Sequence, residues 1–154
     1  MTVFSANFGQ SHTAQGPLRD AKHANVFMYA GNARVTAVSD KTGQRFTYRV
    51  RSVEDKPGRF FVSLLTGPSN EDDFSYLGMI DAGSFRLTKA SKQSLNAPSV
   101  KAIMHVVGWL SRDTMPPGTT LWHEGRCGRC GRTLTDPESI LLGLGPECRQ
   151  HIGV

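Results

Sequence analysis

Apolar and polar positions alternate with a period of two along the middle of the chain and fall at helical spacing in one stretch, residues 99–110. Residues 33–40 and 44–51 flank Asp40-Lys41-Thr42-Gly43, whose glycine can take a positive φ, so they are expected to form a hairpin. In the second arm Phe46, Tyr48 and Val50 alternate with Arg45, Thr47, Arg49 and Arg51, giving one apolar and one basic face. Residues 60–65, FFVSLL, form a continuous apolar run, as expected of a strand covered on both faces. Thr66-Gly67-Pro68-Ser69-Asn70 breaks that run. Phe74, Tyr76 and Ile80 then mark a fourth strand with a bulge at Gly78, and residues 84–88 a fifth. Val100, Ile103, Val107 and Leu110, behind Pro98 and Ser99, predict one amphipathic helix lying on the sheet. The expectation is an α+β fold, an antiparallel meander with one packed helix over residues 25–115. Residues 1–24 are polar and aperiodic, with Phe4 and Phe8 as large anchors, and are expected to be a flexible arm. Met115-Pro116-Pro117-Gly118 reads as the boundary to a separate module over residues 120–154.

That module is rich in glycine and cysteine and needs something besides a core to hold it. Cys127-Gly128-Arg129-Cys130 and Cys148-Arg149-Gln150-His151 form a CxxC and a CxxH separated by 17 residues. Zinc takes four tetrahedral nitrogen or sulfur ligands, and two short chelating pairs joined by a loop supply them. Gly128 and Gly131 allow the tight turn that brings two sulfurs together. Gly145-Pro146-Glu147 reads as a helix start. Cys148 then falls in the first turn, where the helix dipole favours thiolate, and His151 one turn on along the same face. Asp136-Pro137-Glu138-Ser139 reads as the capped start of a short helix or turn ending at Gly143. The expected ligands are Cys127, Cys130, Cys148 and His151, with His123 in reserve and Glu147 third. A redox CxxC would have no use for the second pair. A deaminase centre needs a His/Cys-x-Glu upstream, whereas His123 and Glu124 are adjacent. A closed four-ligand site leaves no position for substrate, so the zinc is expected to be structural.

The segment 127–148, CGRCGRTLTDPESILLGLGPEC, resembles a small zinc-binding domain of unknown function that recurs in phage and actinobacterial proteins. In that domain a CxxCGRxL start is followed by a TDPxS turn and a GxGPxC ending, and the last ligand varies. The domain is sometimes appended to helicase-like or other DNA-metabolism proteins. The segment around FVSLLTGPSN and YLG looks like the accessory region found beside it in small phage-type proteins. The resemblance implies a treble-clef-like zinc module C-terminal to a β domain, and a viral or prophage setting. It names an architecture and no reaction.

Charge adds a partner. The chain carries 18 Lys plus Arg against 13 Asp plus Glu, a net +5. Residues 25–66 hold seven bases against three acids, residues 67–85 hold four acids and no base, and residues 102–154 balance at five each. A basic excess on the β unit suits a polyanion, with DNA ahead of RNA. Arg45, Arg49 and Arg51 on the sheet and Arg126, Arg129 and Arg132 around the knuckle are the candidate phosphate contacts. A solvated face and a solvated module cover the same patterns. By parity Phe46 and Tyr48 point away from the arginines, so no stacking platform is visible. Glu71-Asp72-Asp73 reads as a solvated acidic loop, and Trp109 and Trp122 as anchors of the helix and the zinc module. Ser63, Ser75, Ser84, His12, His23 and His105 have no nucleophile setting, and no Walker or dinucleotide glycine pattern occurs, so no enzymatic activity is expected. No apolar run approaches the ~18 residues of a membrane span. The first residues have no export signal, so the expected location is the cytoplasm of a bacterial host cell. Three cysteines in such a compartment suit metal rather than disulfides. The functional expectation is a small accessory nucleic-acid-binding protein. The alternative is a phage factor that binds and modulates a host enzyme or defence complex.

Overall fold

A computed structural model describes residues 15–69 and 72–153. Residues 1–14, most of the expected arm, and Glu71 of the acidic loop lie outside the described residues. The described chain runs β1 (Gly16–Pro17), α1 (Ala21–Met28), β2 (Asn32–Ser39), β3 (Arg45–Ser52), β4 (Arg59–Leu65), β5 (Phe74–Asp81) and β6 (Ser84–Arg86). It continues with α2 (Pro98–Leu110), β7 (Thr119–His123), α3 (Pro137–Leu142) and α4 (Pro146–Ile152).

The expected five strands are present as β2 to β6, each antiparallel to the next. The sheet is wider than that meander. Its order is β1-β7-β2-β3-β4-β5-β6, because β7 returns after α2 to pair with the free edge of β2 and β1 pairs with β7. The Met115–Gly118 turn therefore leads into the sheet, and Thr119–His123 belongs to it. Residues 16–24 are also structural. Leu18, Ala21 and Ala24 are buried, and Asp20 caps α1 by accepting from the His23 N–H at 2.8 Å.

Two helices, not one, cover the inner face of the sheet. Phe27 and Met28 of α1, with Val100, Ile103, Val107 and Leu110 of α2, pack against Ala33, Val35, Tyr48, Val50, Val62 and Leu121. Tyr48 is fully buried and its hydroxyl donates to the Ser99 carbonyl at 2.5 Å, pinning the first turn of α2 to the sheet.

The register slips once, between β4 and β5. Val62 pairs with Gly78 and Ser63 with Tyr76, leaving Leu77 as the extra residue of a bulge. Gly78 is required there, because a Cβ would sit 2.7 Å from the Arg86 carbonyl. The bulge reverses the side-chain alternation of β5. Leu77 and Ile80 point into the core, whereas Phe74 and Tyr76 point to the other face.

Candidate metal centre and basic sheet face

The CxxC lies on a tight turn. The Gly131 N–H donates to the Cys127 carbonyl at 2.8 Å, the Cys127 N–H to the Arg132 carbonyl at 2.8 Å, and Arg126 bridges Thr133. Gly131 has φ 80°, the left-handed region that closes the turn. The connecting segment folds as α3, capped by Asp136, which accepts from the Ser139 N–H at 3.1 Å, and closed by Gly143 at φ 75°. Gly145 then opens α4, which carries Cys148 in its first turn, and Arg149 ties it back to Glu138 of α3 at 3.0 Å.

These elements bring the Sγ atoms of Cys127, Cys130 and Cys148 within 4.8 Å of one another, and all three thiols are free of disulfides. A tetrahedral zinc with Zn–S near ~2.3 Å places its sulfurs about 3.8 Å apart, so the cluster fits such an ion with little adjustment. Its chemistry fits as well. Burial pushes the Cys127 thiol up, but donation from the backbone N–H groups of Cys130, Gly145 and Arg129 outweighs it and leaves the thiol below its usual range. The Gly145 and Arg129 N–H groups each lie 3.4 Å from Cys127 Sγ. Burial raises the Cys148 thiol, and the Arg129 guanidinium at 3.5 Å opposes that rise.

His151 lines the same cavity, as do Asp136 and Glu147, without joining the three-sulfur cluster. His123 is occupied elsewhere. Its Nδ1 accepts from the Gly125 N–H at 2.9 Å, so Nε2 carries the proton and donates to the Ile140 carbonyl at 2.5 Å. Neither ring nitrogen is left for a metal. Burial pushes its pKa below the usual value of 6.5, against the Ile140 hydrogen bond and with help from the nearby His23.

The cysteine cluster is not a separate bead. Cys127, Leu134, Leu144 and Cys148 form a small core that rests on Val26 of α1 and on Ala30 just beyond its end. The Asn32 N–H donates to the Gly128 carbonyl at 2.7 Å, the Gly128 N–H to the Gly143 carbonyl at 2.9 Å, and His23 meets the Leu142 carbonyl at 2.9 Å. Phe27 fills the seam, so closely that a Cβ on Gly128 would fall 2.7 Å from its ring and 2.9 Å from its carbonyl oxygen.

Of the arginines around the knuckle, Arg129 faces the cysteines and Arg132 lines their cavity, whereas Arg126 is engaged in the turn. The arginines of β3 gather a different company. Arg34 of β2 stands directly opposite Arg49, and both guanidinium groups lie over the Phe74 ring, at 5.9 and 4.9 Å. The next row along the sheet is Asn32, Arg51, Phe61, Met79 and Arg86. Phe61 is 42% exposed and meets Tyr76 edge to face at 6.0 Å. Trp122, opposite Thr36, is on this outer face too, so it does not anchor the metal module to the sheet. Sequence reasoning missed Arg34 and the rings, because only strand pairing and the bulge bring them beside Arg49. On the same face Thr36 and Thr47 share a hydrogen bond of 2.6 Å, and Glu124 accepts from Thr36 and from Gln15.

Other candidates are structural. Asp73 accepts from the Ser69 N–H at 2.7 Å. His105 meets the Pro117 carbonyl at 2.8 Å, and Trp109 sits beside it on α2. Among the described residues no helix is long and apolar enough to cross a membrane.

Fold and site together define a protein of mixed helix and antiparallel sheet with a C-terminal cysteine cluster that can hold a metal ion. A family model described as "Family of unknown function (DUF6011)" matches residues 122–153, the stretch that contains all three cysteines. No curated protein and no solved structure matches the chain.

Proposed function

We propose that this protein binds nucleic acid through the outer face of its sheet, with a structural zinc ion holding the C-terminal segment in a treble-clef-like arrangement. Cys127, Cys130 and Cys148 would hold the ion as thiolates, with His151 of the same cavity as fourth donor. When bound, the ion supplies a cross-link between the knuckle and α4, and no chemistry. The single observation that carries the nucleic-acid reading is the row of arginines that β3 presents on the outer face. Arg45, Arg49 and Arg51 recur on the outer side of β3, two to four residues apart on one face. Among the described residues Arg49 has no carboxylate partner, and its Nε is buried without a hydrogen bond. A phosphate backbone laid along β3 would meet that charge.

The test is a labelled-oligonucleotide titration over a salt series. Binding at 50 mM salt that weakens as salt rises supports the reading, and absence of any shift at that salt refutes it. Should the protein fail there yet co-purify with one defined protein after nuclease treatment, the outer face belongs to a protein partner instead.

A further inference from the structure

The outer face mixes two kinds of group in separate strips. Arg45, Arg49 and Arg51 occupy β3, beside the buried Arg34 of β2, whereas Phe61 and Tyr76 lie on β4 and β5. The helices that cover the sheet, α1 and α2, are on the opposite face. We infer that this face takes single-stranded rather than duplex nucleic acid, with phosphates along the arginine strip and unpaired bases stacked on the Phe61–Tyr76 pair; the inference rests on the nucleic-acid reading above.

Three features point to an unpaired strand. Same-face residues on a strand recur every ~6.7 Å, close to the step between phosphates of an extended single strand, so Arg45, Arg49 and Arg51 can follow one backbone. Aromatic rings hold bases only when the π-face of the base is free, which pairing and stacking within a duplex prevent. The duplex major groove admits a helix or a two-stranded ribbon, and β3, flanked on both sides within a seven-stranded sheet, cannot enter it as either. Arg49 links the two strips. Its guanidinium lies over the ring of Phe74 of β5, 4.9 Å from the ring centre. The shared chemistry is a single-stranded polyanion with stackable bases, DNA or RNA.

The experiment titrates the full chain with zinc present against a fluorescein-labelled dT oligonucleotide, the matching U oligonucleotide and a DNA duplex of the same length. Phe61→Ala and Arg51→Ala are the variants; both positions are exposed, and their folding is checked by thermal melting. The single strands should bind at least tenfold tighter than the duplex. Phe61→Ala should weaken single-strand binding by about 5- to 150-fold with an unchanged salt slope, the loss of one stacked base. Arg51→Ala should flatten the log–log salt slope by about 0.7, one single-strand phosphate. The tighter of dT and U identifies the source of the strand. Equal binding of duplex and single strand, with Phe61→Ala neutral, overturns this inference and leaves the nucleic-acid reading standing. Absence of binding to all three removes both. A dimer in solution that Phe61→Ala dissociates, with no strand competing for it, assigns the face to a second copy and also overturns the inference.

Discussion

Gly128→Ala tests the seam between the cysteine cluster and α1. Gly128 sits between two hydrogen bonds, its carbonyl accepting from Asn32 at 2.7 Å and its N–H donating to Gly143 at 2.9 Å. An added Cβ would meet the Phe27 ring at 2.7 and 2.8 Å and the Phe27 carbonyl oxygen at 2.9 Å. The ring can shift only into a packed core, since Phe27 is fully buried, and the carbonyl belongs to α1 and cannot rotate away. Overpacking of this kind costs about 1–3 kcal/mol, and loosening the flanking hydrogen bonds adds about 1. At about 3 °C per kcal/mol for a chain of this size, the midpoint should fall by roughly 6–12 °C. Because the displaced residue follows Cys127, the metal should be released to a chromogenic chelator faster than from the parent. The control is the same substitution at Gly108, an α2 position with nothing within 4 Å of the added carbon. There alanine should raise stability by about 1 kcal/mol through helix propensity alone. Adding Phe27→Leu to Gly128→Ala should recover part of the loss only, since the carbonyl contact remains. A Gly128→Ala protein that melts within 2 °C of the parent and keeps its metal as firmly would refute the seam.

Three further outcomes follow from the same contacts. On the proposed zinc site, Cys127→Ser should abolish stoichiometric zinc, measured by elemental analysis, because it removes the buried sulfur that the Gly145 and Arg129 N–H groups contact; full zinc retention would exclude this cysteine as a ligand. His123 has a folded pKa below its unfolded value of 6.5, so the unfolded chain takes up the proton first. Its contribution to stability is therefore present above about pH 6.5 and lost as pH falls below it. His123→Gln should show a shallower loss of melting temperature from pH 7 to pH 5 than the parent, and parallel curves for the two proteins would contradict that. Tyr48→Phe should cost about 1–2 kcal/mol in urea denaturation without changing zinc content, as the Ser99 carbonyl loses a buried donor; an unchanged midpoint would show that the hydroxyl does not hold α2.

The strands β2 to β6 and the helix α2 were legible because large apolar side chains repeat there at a clear period. Helix α1 was not, although Ala21, Ala24, Phe27 and Met28 recur on one face behind a capping Asp20. Its first two buried positions are alanines, which carry little hydrophobic weight, and its charged and polar neighbours give the look of a loose extension. Strand β7 is only five residues long and begins with two threonines after a proline turn, so its membership of the sheet depends on β2 having a free edge, a fact of tertiary structure. The three cysteines were legible from spacing alone, because chelation imposes short local intervals. The occupation of His123 was not, because its partners, Gly125 and Ile140, meet it only after β7 and α3 are placed.

The outer face is the larger lesson, and it turns on one residue. By strict alternation Phe74, Tyr76 and Ile80 share a face, and reading them together puts all three in the core. The bulge at Leu77 breaks that parity: Ile80 stays inside while Phe74 goes under Arg34 and Arg49, and Tyr76 goes against Phe61. A single inserted residue reverses every side chain before it. Even with the bulge expected at Gly78, the consequence depends on which strand of the pair carries the extra residue and on the register of β3 against β2, neither of which composition or periodicity specifies. The strand pattern thus yields a basic strip without rings, and the folded register supplies the rings. Removing Phe61 and removing Arg51 should therefore alter different quantities, affinity at fixed salt in the first case and salt slope in the second, because the two groups come from different strands and meet different parts of a ligand.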